Sequence, residues 1–151
     1  KKKYYSEEVG YNSRLDALQA AILQAKFPHV DGWNQRRRAL AQRYSEQLAP
    51  LGVTVPVECG WGTHVYHLYI IRSKQRPELQ AFLKEKGIAS EVYYPLPPHL
   101  STPCRKFGYK DGDFPHAERA SRETLALPLY PELTSEQQDH VIAAVRAFVT
   151  A

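Results

Sequence analysis

Methionine is absent from the 151 residues, and cysteine occurs only twice, at Cys59 and Cys104. Two cysteines that far apart match no metal or redox spacing, and a reducing cytosol is the simpler context. No apolar run approaches the roughly 20 residues of a membrane span, and no signal peptide is visible. Glycine-rich phosphate loops, HExxH and GxSxG are also missing, which excludes the commonest nucleotide, zinc-protease and serine-hydrolase signatures. The chain opens on Lys1 without an initiator residue. That predicts either a processed start or a piece of something longer, and the second is the expectation carried forward.

What is present describes an ordinary globular protein, with 43% hydrophobic and 24% charged residues. A chain of this length forms one domain that buries roughly two-thirds of its unfolded surface. The net charge of +4 comes from 20 Lys and Arg against 16 Asp and Glu, with Lys1, Lys2 and Lys3 in a terminus expected to fray. Arg36, Arg37 and Arg38 are consecutive, so on a helix they point in different directions. They read as a solvated face, not the basic stripe that a nucleic-acid module needs.

The stretch GYNSRLDALQAAIL begins at Gly10 with polar residues and becomes a helical pattern. Leu15, Leu18, Ile22 and Ala25 predict a buried stripe on a helix from about Ser13 to Phe27. Asn12 or Ser13 could cap it, and Ser13 with Asp16 resembles a capping box. Pro28 breaks the path. A longer helix then places Val30, Trp33, Leu40, Tyr44 and Leu48 on one face, with Arg37 at its edge, and Gly52 ends it. Val53–Val55 is a short strand candidate, and His64–Arg72 is the strongest, apolar or aromatic on both faces. Pro77 opens a helix stopped at Gly87, and Ile88–Tyr93 predicts a further strand in a β-α-β rhythm. A short helix from about Pro115 to Thr124, the extended LALPLYP and a last helix follow. Thr134 to Gln137 form a capping box for that helix, which buries Val141, Ile142, Val145, Phe148 and Val149.

Two places could carry chemistry. A helix N-terminus suits a phosphate or carboxylate, and Asn12 and Arg14 at that entrance add an amide donor and a planar cation. A cap with a surface salt bridge explains the same residues. The proline-stiffened loop Tyr93-Tyr94-Pro95-Leu96-Pro97-Pro98-His99 presents aromatic rings and an imidazole with little entropy to lose, which fits a binding rim or a rigid packing loop. His64 and His67, on opposite faces of a strand, cannot clamp one metal and read as structural. His29, His116 and His140 have no partner in the sequence.

GYNSRLDALQAAIL, WNQRRRALAQRY, HVYHLYIIR, YYPLPPH and GDFPHAERASRETLALPLYPELT together resemble, in order and register, the DegT/StrS family of sugar-nucleotide aminotransferases. The family consists of fold-type I enzymes that use pyridoxal phosphate and work as homodimers. The resemblance implies the C-terminal part of such an enzyme. Residues 1–50 would form a helical interdomain or dimer segment and 51–151 a small C-terminal α/β domain, a few-stranded sheet packed with helices. The large cofactor domain and its Schiff-base lysine would be absent, since Lys26, Lys84, Lys86, Lys106 and Lys110 all fall in C-terminal blocks. This chain alone is therefore expected to be inactive.

By the same resemblance, Asn12 reaches the cofactor phosphate of a neighbouring subunit, and Arg14 adds charge for that phosphate or the donor's carboxylate. Tyr94 and His99 contact the sugar nucleotide. The implied activity is transfer of an amino group, from glutamate, to a nucleotide-linked keto-sugar in the cytoplasm, for polysaccharide or antibiotic sugars. No metal, membrane or nucleic acid is expected. A sugar dehydratase of the same fold and a non-catalytic interaction or regulatory module are the alternatives. The first-helix surface around Leu15, Leu18, Ile22 and Leu23 would be covered by the large domain or a partner subunit.

Overall fold

The computed structural model describes residue 11 and residues 13–150, with the backbone alone at 103 and 105. Asn12 therefore lies outside the described residues. The chain divides into two compact units, Lys1–Gly32 and Trp33–Ala151.

In the first unit, α1 (Ala17–Lys26) starts later than the pattern suggests, because Asp16 and not Ser13 is its N-cap. The Asp16 carboxylate accepts the N–H of Leu18 at 2.8 Å, satisfying a donor that the helix itself cannot. Lys26 in the last turn suits the negative end of the helix dipole. Pro28 sits in a 3₁₀ turn, Phe27–His29. No residue of α1 is buried, so the expected buried stripe is instead an exposed one, with Leu18 at 71%. One helix and one turn cannot enclose their own side chains.

The second unit is built on a small sheet with helices against it. Its long helix α2 (Val30–Leu48) begins in the first unit and buries Leu40, Ala41, Tyr44 and Leu48 in the second. Gly52 ends the following 3₁₀ turn at φ 77°, a left-handed conformation that glycine adopts without penalty. The three consecutive arginines diverge as helical geometry requires. Arg36 donates to the Leu133 carbonyl, Arg38 pairs with Glu58 and the His64 carbonyl, and Arg37 is half-buried.

Strand β1 is only Tyr69–Arg72, much shorter than the sequence run. Tyr66 takes φ 48°, and its N–H donates to Nδ1 of its neighbour His64 at 2.8 Å. This local turn breaks the extended path before Tyr69, so the opposite-face reading of His64 and His67 does not apply. From the Tyr69 end, burial alternates along β1 between buried and half-buried.

After α3 (Arg76–Glu85), opened by Pro77, Gly87 at φ 73° turns the chain. The expected strand Ile88–Tyr93 shrinks to one bridge, Glu91 to Ala126. Prolines 95, 97 and 98 lack the N–H that would extend a ladder. The segment read only as extended, LALPLYP, supplies the second strand instead. Helix α4 (Pro115–Glu123) leads into β2 (Thr124–Leu127), which pairs antiparallel with β1, Ile70 opposite Ala126. Thr54 bridges to Arg72 on the outer side of β1. The order is therefore Thr54, β1, β2, Glu91. Because β1 and Glu91 both run antiparallel to β2, they are parallel to each other, and the β-α-β direction survives with β2 inserted between.

Helix α5 (Ser135–Val149) carries the capping box, with Thr134 and Gln137 bonded reciprocally. Val141, Ile142 and Val145 join the core, and the Phe148 ring lies 5.7 Å from that of Phe82. Val149 faces outward, contrary to its expected burial. Tyr44 and Tyr69 sit at the centre with ring centroids 5.0 Å apart. The Tyr44 hydroxyl donates to the Pro128 carbonyl, and that of Tyr69 bonds Ser45.

Candidate functional site

The loop between the sheet edge and α4 is an arch with pinned feet. At one foot Glu91 and Ala126 exchange both backbone bonds, at 3.2 and 2.8 Å. The chain then climbs through Tyr93 and Tyr94, whose rings meet edge to face at 6.1 Å and are 43% and 73% exposed. Pro95, Pro97 and Pro98 fix φ along the descent. The 3₁₀ turn Pro98–Leu100 closes it, and the Ser101 hydroxyl donates to the Pro98 carbonyl.

The second foot is His99, which sequence reasoning placed on the binding rim. Its ring is turned inward, 8% exposed, and Nε2–H donates to Oε1 of Glu118 at 3.0 Å. The same oxygen accepts the N–H of Gly112 at 2.9 Å and of Phe114 at 3.2 Å. The Phe114 ring covers the imidazole at 4.8 Å, and the Tyr109 ring stands edge-on to Phe114 at 5.2 Å. Burial pushes the Glu118 pKa upward, but the donors from Phe114, Gly112 and His99 outweigh it and hold the carboxyl below the usual carboxylate range. Glu118 is thus an ionised, nearly buried acceptor that ties three chain segments together.

Sequence reasoning did not single out Glu118. A signal existed: Phe114-Pro115 opens a helix, and an acid in the first turn of a helix can reach back to the N–H groups before it.

A separate cleft of about 440 Å³ lies beside the outer edge of β1, lined by Arg72, Lys74, Arg119 and Glu123 over Leu51, Val53 and Leu79. Arg72 donates from Nε to Glu123 at 3.1 Å, joining β1 to the end of α4. That bond, against a smaller upward push from burial, lowers the Glu123 pKa, with Arg119 and Lys74 adding to it. The cations of this cleft are thereby partly committed to one carboxylate.

Arg14 is exposed, two residues ahead of the Asp16 cap. The cap matters for the anion reading, because Asp16 occupies one of the free N–H groups of that helix end. Among the described residues, no cluster of His, Cys, Asp or Glu could hold a metal ion. No described helix is long and apolar enough to cross a membrane. Cys59 and Cys104 are free thiols.

Residues 1–146 match the DegT/DnrJ/EryC1/StrS aminotransferase family. A "pleiotropic regulatory protein" of Geobacillus stearothermophilus is 51% identical over 98% of this chain and 41% of its own length. The dTDP-3-amino-3,4,6-trideoxy-alpha-D-glucose transaminase of Streptomyces venezuelae is 42% identical over 97% of this chain and 39% of its own. Among solved structures, S. venezuelae DesV in complex with a ketimine intermediate aligns with a TM-score of 0.92 at 40% identity, covering 99% of this chain and 41% of that one. The chain thus spans about two-fifths of the length of these relatives. With the family matched over residues 1–146 and a fold shared along its length, the chain belongs to the DegT/DnrJ/EryC1/StrS aminotransferase family.

Proposed function

We propose that the whole protein is a pyridoxal-phosphate-dependent aminotransferase that moves an amino group, from glutamate, onto a nucleotide-linked keto-sugar in the cytosol, as a homodimer. The observation that carries this reading is the agreement of the chain, from end to end, with sugar transaminases. When bound, pyridoxal phosphate supplies the electron sink that lets nitrogen leave one carbon and join another.

This chain supplies part of the surroundings. In this reading α1 faces the rest of the enzyme or its partner subunit, while α2, whose Leu40, Ala41, Tyr44 and Leu48 lie in the core, belongs with the small domain and not with the segment before it. The sequence ahead of α1 carries a donor set that suits a phosphate, an amide at Asn12 and a guanidinium at Arg14. Asp16 already satisfies the N–H of Leu18, so the positive charge for that phosphate comes from Arg14 more than from the helix end. Tyr94 offers an exposed ring to the sugar nucleotide, and His99 belongs to the same loop.

The test uses the protein as its gene encodes it. A pyridoxal absorbance band lost on borohydride reduction, with glutamate-dependent amination of a dTDP-linked keto-sugar, supports the reading. A colourless protein that transfers no amino group overturns it. The name of the Geobacillus relative favours a second reading, a regulatory module that keeps the fold without the chemistry. That colourless outcome is the one such a module gives.

A further inference from the structure

We infer that Glu118 is the positioning residue of the substrate loop, holding the arch that presents Tyr94 by gathering the N–H groups of Gly112, Phe114 and His99 on one carboxylate oxygen. The inference rests on the reading of Tyr94 as a sugar-nucleotide contact and adds a residue that touches no substrate itself.

The loop has only a few ways to keep its shape. Between the Glu91 bridge and the His99 turn, residues 92–98 form no ladder, and the three prolines among them donate nothing. Proline stiffness fixes local φ but does not fix where the arch stands on the domain. That is decided at its feet. The first foot is held by two backbone bonds to β2. The second is held by the side-chain bond of His99 to Glu118, across 19 residues, with the Phe114 ring against the imidazole and Pro97 buried.

Glu118 is itself locked. Its backbone N–H donates to the Phe114 carbonyl at 3.0 Å, its side chain takes the Gly112 and Phe114 N–H groups, and Ser121 donates to its carbonyl. Gly112 adopts φ 94°, which turns the chain so that its N–H reaches the carboxylate. The acceptor is thus preorganised on α4, which continues directly into β2 of the core.

A carboxylate is required, because a single oxygen accepts three N–H donors with little solvent. All three donors meet Oε1, so an amide in its place keeps an oxygen toward them but offers a neutral, weaker acceptor. Without the anchor, His99 and the proline stretch pivot about the Glu91 bridge, and Tyr94 at the crest moves most. The sugar nucleotide should sense this, and the amino donor should not.

The experiment compares wild type, Glu118→Gln, Tyr94→Ala and the double variant, all in the protein as its gene encodes it. Amide hydrogen exchange on a peptide covering 92–101 is read first and does not depend on activity. Glu118→Gln should exchange there at least tenfold faster, with α5 unchanged. KM for the dTDP-keto-sugar should rise about tenfold while KM for glutamate and the cofactor absorbance stay at wild type. The double variant should be no worse than Tyr94→Ala, since both changes act through one ring. His99→Gln, which restores an N–H toward Glu118, should recover most of the protection lost in His99→Ala.

Unchanged exchange at 92–101 overturns the inference. So does faster exchange with an unaltered sugar KM, an equal rise in both KM values, or additive effects in the double variant. A wild type that transfers no amino group defeats the proposed function instead, and the exchange data then decide the anchoring role alone.

Discussion

The side-chain amide of Gln138 donates to the backbone oxygen of Leu40 at 2.7 Å, joining α5 to α2 across 98 residues of sequence. Gln138 is fully buried, and its own oxygen accepts from Arg43 at 3.1 Å, so both ends of the amide are satisfied. Gln138→Ala removes two buried side-chain bonds, one to the Leu40 carbonyl, which keeps its bond within α2, and one from Arg43. At about 0.5–1.5 kcal/mol for each lost bond, the cost is about 1–3 kcal/mol. Urea unfolding should show a loss in that range at unchanged slope, and a midpoint equal to wild type would mean water replaces the amide.

Acid should weaken the fold through its held carboxylates. Glu118, Glu123 and Glu136 all have pKa values below the ordinary range. Their stabilisation is complete above the unfolded carboxylate pKa of about 4.3 and is lost as pH falls through the lower folded values. Unfolding midpoints measured from neutral to strongly acid pH should therefore drop below about pH 4. Glu118→Gln and Glu123→Gln should each flatten that drop, and a slope identical to wild type in both would contradict it.

Alkali acts on the core tyrosines with the opposite sign. Burial, aided by Tyr66 and opposed by the Ser45 bond, pushes the Tyr69 pKa up to about 12. Burial, with Tyr69 and Tyr130 nearby, raises that of Tyr44 further. A raised folded pKa stabilises below the unfolded value of about 10, and that contribution disappears as pH climbs through the folded one. Tyrosinate absorbance should show these hydroxyls titrating only with unfolding. In Tyr44→Phe the Pro128 carbonyl loses its donor at 3.0 Å, and a loss of about 1 kcal/mol is expected at neutral pH.

The start of α5 gives a local test. Thr134 Oγ1 accepts the Gln137 N–H at 3.2 Å, and Gln137 Oε1 accepts the Thr134 N–H at 3.0 Å. Thr134→Ala should cost about 1 kcal/mol. In a cycle with Gln137→Ala, part of the loss should be shared, because each side chain closes the other's donor. Strictly additive losses would show two independent caps.

How far the sequence alone reached follows the range of the interactions. Pro77 at the start of α3, Thr134 with Gln137 at the start of α5, and Gly52 and Gly87 in left-handed turns act on neighbours a few residues away. Their effects were legible for that reason. The apolar stripe of α2 was legible too, since its spacing is set by helix geometry.

What needed the tertiary structure was every feature that depends on a distant partner. The apolar run from His64 predicted a long strand, but a backbone turn at Tyr66 and a ladder that spans just Thr124–Leu127 left four residues of it. The α1 periodicity marked an amphipathic helix without saying what covers it. His99 stood in a loop that reads as presented to solvent, and only the return of the chain nineteen residues later brought Glu118 to its ring. Helix caps, turns and faces come from local geometry, so this sequence determined them by itself. Strand order, the inward turn of His99 and the buried carboxylate beneath the arch come from packing between remote segments, and tertiary structure decided those.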